Sequence, residues 1–207
     1  MRRQLVPAVL SMVVFTLLLG VGYSLVVTGV AQLAFKDKAD GSLVQRNGKE
    51  IGSSLIGQAF VDKNGEPITK YFQSRPSAAV GADGKTEAGY DPTLSSGSNL
   101  GPTNPELLKE VAKRVDSYRE LNGLGADARV PVDAVTASAS GLDPDISVAN
   151  ARLQTRRVAD ERDLPVARVR RLVDEHTSGR TLGVLGEKTV NVLDLNLALD
   201  RVSASQN

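Results

Sequence analysis

Residues 5–35 read LVPAVLSMVVFTLLLGVGYSLVVTGVAQLAF, without one Asp, Glu, Lys or Arg. A bilayer's hydrocarbon core of about 30 Å takes about 20 helical residues to span. This stretch exceeds that length with room for tilt. Its polar members, Ser11, Thr16, Ser24 and Thr28, carry hydroxyls that can bond back to a carbonyl one turn earlier, so they cost little in lipid. The expected architecture is therefore one N-terminal transmembrane helix carrying a soluble domain. The expected divisions are a short basic segment (1–8), the transmembrane helix (9–34), a neck (35–50), an extracytoplasmic domain (51–200) and a flexible tail (201–207).

Flanking charge sets the expected orientation. Arg2, Arg3 and the α-amino group precede the span, and Lys36 and Lys38 follow it, partly offset by Asp37. The positive-inside bias counts Lys and Arg mainly, and the amino terminus tips a near tie towards a cytoplasmic N-terminus. A cleaved secretory signal would share the basic start but has an apolar core of only about 7–15 residues and a small-x-small cleavage site. Val30-Ala31-Gln32 is a poor match to such a site. A twin-arginine export signal rests only on Arg2-Arg3. All these readings put the domain outside the cytoplasm, with membrane lipid around the anchor.

Composition narrows the chemistry. The chain has no cysteine, which removes disulfide scaffolds, thiol nucleophiles and thiolate metal sites. Without Arg2 and Arg3 the domain carries 23 basic against 24 acidic residues. Nucleic-acid binding needs a concentrated basic surface, so no nucleic-acid partner is expected. Trp is absent and aromatic residues are sparse, which argues against carbohydrate or base stacking.

Along the domain, Asn47-Gly48 is a turn signal in a polar neck. Leu55–Phe60 reads as a short strand, Asp62–Pro67 as a turn, and Ile68–Phe72 as the return strand. Residues 74–104 form a long irregular segment, which in a compact domain is usually functional or disordered. A helix follows, with Asn104 as N-cap, Pro105 at its first position and Gly123 and Gly125 at its end. Leu107, Leu108, Val111, Val115 and Tyr118 keep its helical spacing. Val130–Thr136 reads as a strand. Asp143-Pro144 opens a second helix running to about Asp160. Pro165 opens a third, with Val166, Val169, Leu172 and Val173 on one face, stopped by Gly179. Residues 190–199 fit either strand or short helix. The fold class is a mixed α/β (α+β) soluble domain behind one membrane helix.

No catalytic constellation stands out. His176 is the one histidine, and a Ser-His-Asp triad would need it. Gly97-Ser98-Asn99-Leu100-Gly101 lacks the G-x-S-x-G spacing. Gly84-Lys85-Thr86 ends like a phosphate loop but lacks its first glycine and a preceding strand. Asp62, Asn64 and Glu66 alternate like calcium ligands, but Gly65 and Pro67 break the pattern. Arg152, Arg156 and Arg157 could gather an anion, or with Asp160 and Glu161 form a salt-bridged face. The segments Tyr71–Ala78, Tyr90-Asp91-Pro92, Ser95–Pro105 and Val135–Pro144 instead present backbone and hydroxyl groups suited to a partner or a small polar ligand.

Taken in order, these segments resemble the C subunit of the bacterial Kdp potassium-transporting ATPase. The resemblance rests on Gly52-Ser53-Ser54-Leu55-Ile56-Gly57-Gln58, Tyr71–Ala78, Ser95–Pro105, Val135–Pro144, Gly179–Gly183 and Asn191–Leu199. It implies a non-catalytic accessory subunit of a high-affinity, ATP-driven potassium uptake pump. The implied partners are a P-type ATPase catalytic subunit, a potassium-channel-like subunit and a small membrane subunit. The family is described as stabilising that assembly and as raising the catalytic subunit's affinity for ATP, a catalytic chaperone role. ATP is cytoplasmic, whereas the charge pattern puts this domain outside, so direct contact with ATP collides with the expected topology. The family commonly has histidine where this chain has Asp145, an acid expected to suit a helix start. Candidate interface residues are Gly20, Gly22, Tyr71, Arg75, Ser95, Ser98, Asn99 and Asn104. The alternative is a membrane-anchored extracytoplasmic hydrolase, or a domain that binds a small ligand.

Overall fold

The computed structural model describes residues 2–46, 48–79 and 89–204. They fall into two compact units, Met1–Ser53 and Ser54–Asn207.

In the first unit, α1 (Arg2–Phe15), a π-helical stretch (Thr16–Tyr23) and α2 (Ser24–Ala34) run on as one helix. It is the one described helix long and apolar enough to cross a membrane. Its large side chains stand exposed, Leu17 at 60% and Leu25 at 68%. Such a surface is stable only under lipid or another helix. Gly20 and Gly22 both lie in the π-helical stretch, which widens the turn in mid-span. A short α3 (Lys36–Ala39) leads to an antiparallel hairpin of β1 (Leu43–Arg46) and β2 (Lys49–Ser53). Gly48, of the expected turn, has φ +75, and Asn47 lies outside the described residues. The neck is thus more regular than its polar composition suggests.

The second unit is built on α4 (Pro105–Leu121), a 3-10 turn (Val132–Ala134), β3 (Asp145–Ser147), α5 (Val148–Glu161), α6 (Val166–Glu175), β4 (Thr177–Ser178), β5 (Thr189–Asn191) and α7 (Val192–Ala204). The three strands form one antiparallel sheet with β5 in the centre. Ile146 pairs with Val190, both buried, while their neighbours are half-buried. This is the period-2 alternation of a sheet with one face on the core. Val158, Val169, Val173, Leu195 and Leu199 close that core from α5, α6 and α7.

Local chemistry accounts for the helix starts. Asn104 caps α4, its side chain accepting from the Glu106 amide at 2.9 Å, with Pro105 at the first position as expected. Asn122 and Gly123, at φ +60, end that helix. Ser147 caps α5 by accepting from the Asn150 amide at 3.1 Å. That helix therefore starts after a strand rather than at Asp143-Pro144, and Asp145 lies in β3, outside any helix dipole. The Asp145 carboxylate accepts instead from the Thr189 hydroxyl on β5 at 2.7 Å.

Three further expectations give way. Val130–Thr136 contains a 3-10 turn, not a strand. Helix α6 ends at Glu175 with His176 as C-cap, before Gly179, because Thr177 leaves to pair with Val190. Residues 190–199 are both strand and helix: β5 runs directly into α7, so one apolar run serves two elements.

Leu55–Phe60 and Ile68–Phe72 are not strands. One isolated bridge, Val61 opposite Pro67, closes the turn between them. The turn itself is as expected. Asp62 accepts from the amides of Asn64 and Glu66 at 2.8 and 3.0 Å, and these bonds hold its carboxyl below the usual range.

Candidate functional site

The missing return strand has an unusual replacement. Residues 71–79 form an extended strap, and two carboxamide side chains take the part of a neighbouring strand. The Phe72 amide donates to Asn196 Oδ1 at 2.9 Å, and Asn196 Nδ2 donates back to the Phe72 carbonyl at 3.0 Å. The Gln73 amide donates to Gln154 Oε1 at 2.7 Å, and Gln154 Nε2 returns to the Gln73 carbonyl at 3.1 Å. A carboxamide offers one donor and one acceptor in the geometry of a peptide unit. Helices α7 and α5 thus hold successive residues of the strap without a sheet.

Arg157 completes this support from below. It is buried, and donates to Asn122 Oδ1 at 3.0 Å, to Gln154 Oε1 at 2.8 Å, to the Tyr71 carbonyl at 3.0 Å, and to the Thr69 carbonyl. Burial pushes its guanidinium down to about 10. Only Arg152 and Arg156 of the expected cluster stay on the surface, paired with Asp174 and Asp160. The sequence signal was available: Asn150, Gln154 and Arg157 stand on α5 where helical spacing calls for apolar side chains.

The strap then meets the other loops at Arg75. Its Nη1 donates to Asp143 Oδ2 at 2.8 Å, and its Nη2 reaches the carbonyls of Thr136 and Ala137 at 3.4 Å. The Tyr90 hydroxyl donates to the Arg75 carbonyl at 2.5 Å, and burial pushes that phenol up to about 12. Ser77 Oγ donates to the Gly141 carbonyl at 2.9 Å. The Ser96 amide and the Ser95 hydroxyl both donate to the Ser140 carbonyl, and the Gly57 amide donates to the Leu142 carbonyl. Residues 54–58, 71–79, 90–97 and 135–144 therefore converge in space.

Close backbone approach explains the glycines there. A Cβ on Gly57 would lie 2.2 Å from the Tyr90 ring and 2.7 Å from the Asp143 carbonyl oxygen. Gly141, at φ +69, would place one 2.7 Å from the Ser96 carbonyl oxygen.

Two hollows flank Arg75. One, about 510 Å³, is lined by Gln73, Arg75, Arg114, Tyr118, Asn150 and Gln154, among others. The other, about 610 Å³, lies against Ile56, Ser138, Ser140 and Asp143. The charged side chains of these hollows are largely paired. Arg75 is paired with Asp143 and Arg114 with Glu110, while Glu66 and Glu120 line the first hollow. Among the described residues the positive charges of these hollows thus have acidic neighbours, while Arg75 Nε is buried without a hydrogen-bond partner. Gly84-Lys85-Thr86 lies outside the described residues.

The sequence-selected residues fall in both units. Arg75 and Ser95 join the loop junction. Tyr71 lies apart, its ring packed at a tilt against Phe60 at 5.1 Å and under the Arg162 guanidinium at 4.7 Å, its hydroxyl donating to Asp200 at 3.2 Å. Asn104 is a helix cap. Ser98 and Asn99 are exposed, Asn99 at φ +52. Gly20 and Gly22 belong to the membrane-length helix. His176 Nδ1 lies 2.9 Å from the Leu172 carbonyl at the end of α6.

Residues 5–201 match the family model described as "K+-transporting ATPase, c chain". Among curated proteins, a "Potassium-transporting ATPase KdpC subunit" of Mycobacterium tuberculosis is 55% identical over 202 residues, 98% of this chain and 100% of the relative. Proteins of the same description are 51% identical in Gemmatimonas aurantiaca, over 99% of this chain and 96% of the relative, and 49% identical in Geobacter metallireducens, over 95% and 97%.

Proposed function

The chain belongs to the family of the K+-transporting ATPase c chain, and we propose that it is a non-catalytic accessory subunit that assembles and stabilises a high-affinity, ATP-driven potassium uptake complex. The near full-length similarity to potassium-transporting ATPase subunits carries this reading. Its partners are the P-type catalytic subunit, the channel-like subunit and the small membrane subunit of that complex. The anchor takes a cytoplasmic N-terminus and the domain stands outside the membrane, in keeping with Arg2 and Arg3 before the span.

In this role the domain presents shape, not chemistry. Its loops are tied to one another through Arg75, Asp143, Tyr90 and Ser140, a rigid surface suited to contact. Any rise in the catalytic subunit's affinity for ATP reaches it as coupling through the assembly, since the loop junction lacks the charge a triphosphate needs. The family match does not favour the hydrolase alternative.

Deletion of the chain should abolish growth at micromolar potassium and release the remaining subunits from one another during purification. Unimpaired potassium uptake without it would refute the proposal. A cysteine placed in the domain, such as Lys113→Cys, should react with an impermeant thiol reagent on intact cells. Reaction only after lysis would reverse the orientation and revive direct contact with ATP.

A further inference from the structure

Strands β4 and β5 pair at Thr177–Val190 and Ser178–Thr189, and the chain between them forms a second hairpin beyond the sheet. Thr181 and Leu185 exchange backbone hydrogen bonds, each at 2.9 Å. The Val184 amide closes the turn on the Thr181 carbonyl at 3.3 Å. Leu182 and Gly183 occupy its central positions at φ +54 and +79. Two positive φ values mark the mirror-image turn class of tight hairpins, normally filled by Asn, Asp or Gly. A leucine seldom adopts that conformation.

The strained leucine is also the most exposed large apolar side chain among the described residues of the second unit. Leu182 is 86% exposed, Val184 72% and Leu185 59%. The base of the hairpin is fixed by Arg180, whose Nη2 reaches both oxygens of Glu187 at 3.1 and 3.0 Å. This pair offsets one flanking charge of each sign, Lys188 stands beside it, and residues 181–186 carry none. The result is a rigid, uncharged aliphatic tip on an arm.

We infer that Leu182, Val184 and Leu185 form a knob that seats in an apolar socket on another subunit of the potassium-transporting ATPase. This rests on the subunit reading above. Charge and size select that occupant. A loop made to enter lipid headgroups carries aromatic side chains and a cluster of cations; this tip has no aromatic residue, and with Arg180 held by Glu187 only Lys188 flanks it. A second copy of the chain is too weak an occupant, because three aliphatic side chains fall far short of the ~800 Å² per partner that a stable pair buries. A subunit already tethered in the same assembly needs only a small anchor, since the second contact is then intramolecular. A rigid tip also loses little freedom on seating.

The test uses the intact, co-purified complex. With no native cysteine, Leu182→Cys can carry a photo-crosslinker uniquely, with Lys113→Cys on the exposed face of α4 as control. Crosslinking from position 182 to another ATPase subunit, well above the control, is expected. Crosslinking only to lipid, only to a second copy, or to nothing overturns the inference. Leu182→Gly separates docking from folding. Glycine relieves the positive φ, so a purely structural turn would keep the chain in the complex. The knob predicts at least a tenfold loss of retention with an unchanged melting profile, and full retention sinks it. Should the wild-type chain itself fail to co-purify, the subunit reading fails; should only the Leu182 variants behave as wild type, this inference alone fails.

Discussion

Arg75 Nη1 and Asp143 Oδ2 lie 2.8 Å apart across 68 residues of chain, and the pair ties the strap to the loop that precedes β3. Both side chains are partly exposed, at 22% and 31%, so solvent screens the attraction. Asp143→Asn should therefore lower stability by only about 1 kcal/mol, a shift of roughly 2–4 °C in melting temperature for a chain of this size. A double-mutant cycle with Arg75→Met isolates the pair. Coupling indistinguishable from zero would mean that the Thr136 and Ala137 carbonyls, not the ion pair, hold Arg75.

The carboxamide clamps should matter more. Asn196→Leu keeps a similar volume but leaves the buried Phe72 amide and carbonyl without partners. Each orphaned group costs about 1–3 kcal/mol, so the variant should lose more stability than Asp143→Asn. Asn196→Asp restores an acceptor without the donor and should fall between the two. If Asn196→Leu melts with the wild type, the strap is held by other contacts.

These clamps show where sequence reading stops. The membrane-length helix is legible because charge-free apolar length is a property of the sequence alone. The start of α4 is legible for a similar reason, since Asn104-Pro105 makes its cap within a few residues. Ile68–Phe72 has strand-like residues, yet where it runs into the strap the hydrogen-bond partners of Phe72 and Gln73 are side chains 124 and 81 residues away. Nothing local distinguishes a ladder made by Gln154 and Asn196 from one made by backbone. Arg157 was counted with Arg152 and Arg156 because composition shows charge, not which way a helix faces. The loop junction around Arg75 was marked by its dense Gly and Ser content, but which loops meet there is a long-range fact.

Gly57 tests that junction directly. Alanine at this position puts a methyl carbon into the Tyr90 ring and the Asp143 carbonyl. Overpacking of this kind costs about 1–3 kcal/mol, and because a backbone oxygen is one of the neighbours, the upper part of that range is expected. Combining Gly57→Ala with Tyr90→Ser, which shortens the obstructing side chain, should cost less than the two changes added separately. Strict additivity in chemical denaturation would show that Gly57 and Tyr90 do not meet as described.

Alkaline pH should unfold the domain through its tyrosines. Burial is the largest cause raising the phenols of Tyr71, Tyr90 and Tyr118, with Tyr90 pushed up to about 12. In the unfolded chain all three ionise near the ordinary value of 10.0. Between that pH and the folded values the unfolded state has released protons that the folded state keeps, so stability falls as pH rises. It is fully present below about pH 10. Arg157 works the other way. Its guanidinium, lowered from 12.5 to about 10, favours the folded state as pH rises through that interval. One arginine opposes Tyr90 and Tyr118, with Tyr71 adding little because solvent screens it, so the net slope should be negative, at up to about 1.4 kcal/mol per pH unit for each uncompensated buried tyrosine. Tyr90→Phe should flatten the slope while costing a fixed amount of stability at neutral pH through the lost bond to the Arg75 carbonyl. Phenolate absorbance followed alongside circular dichroism would check this: the phenols of Tyr90 and Tyr118 should ionise with unfolding, and ionisation of both in a still-folded chain would refute it.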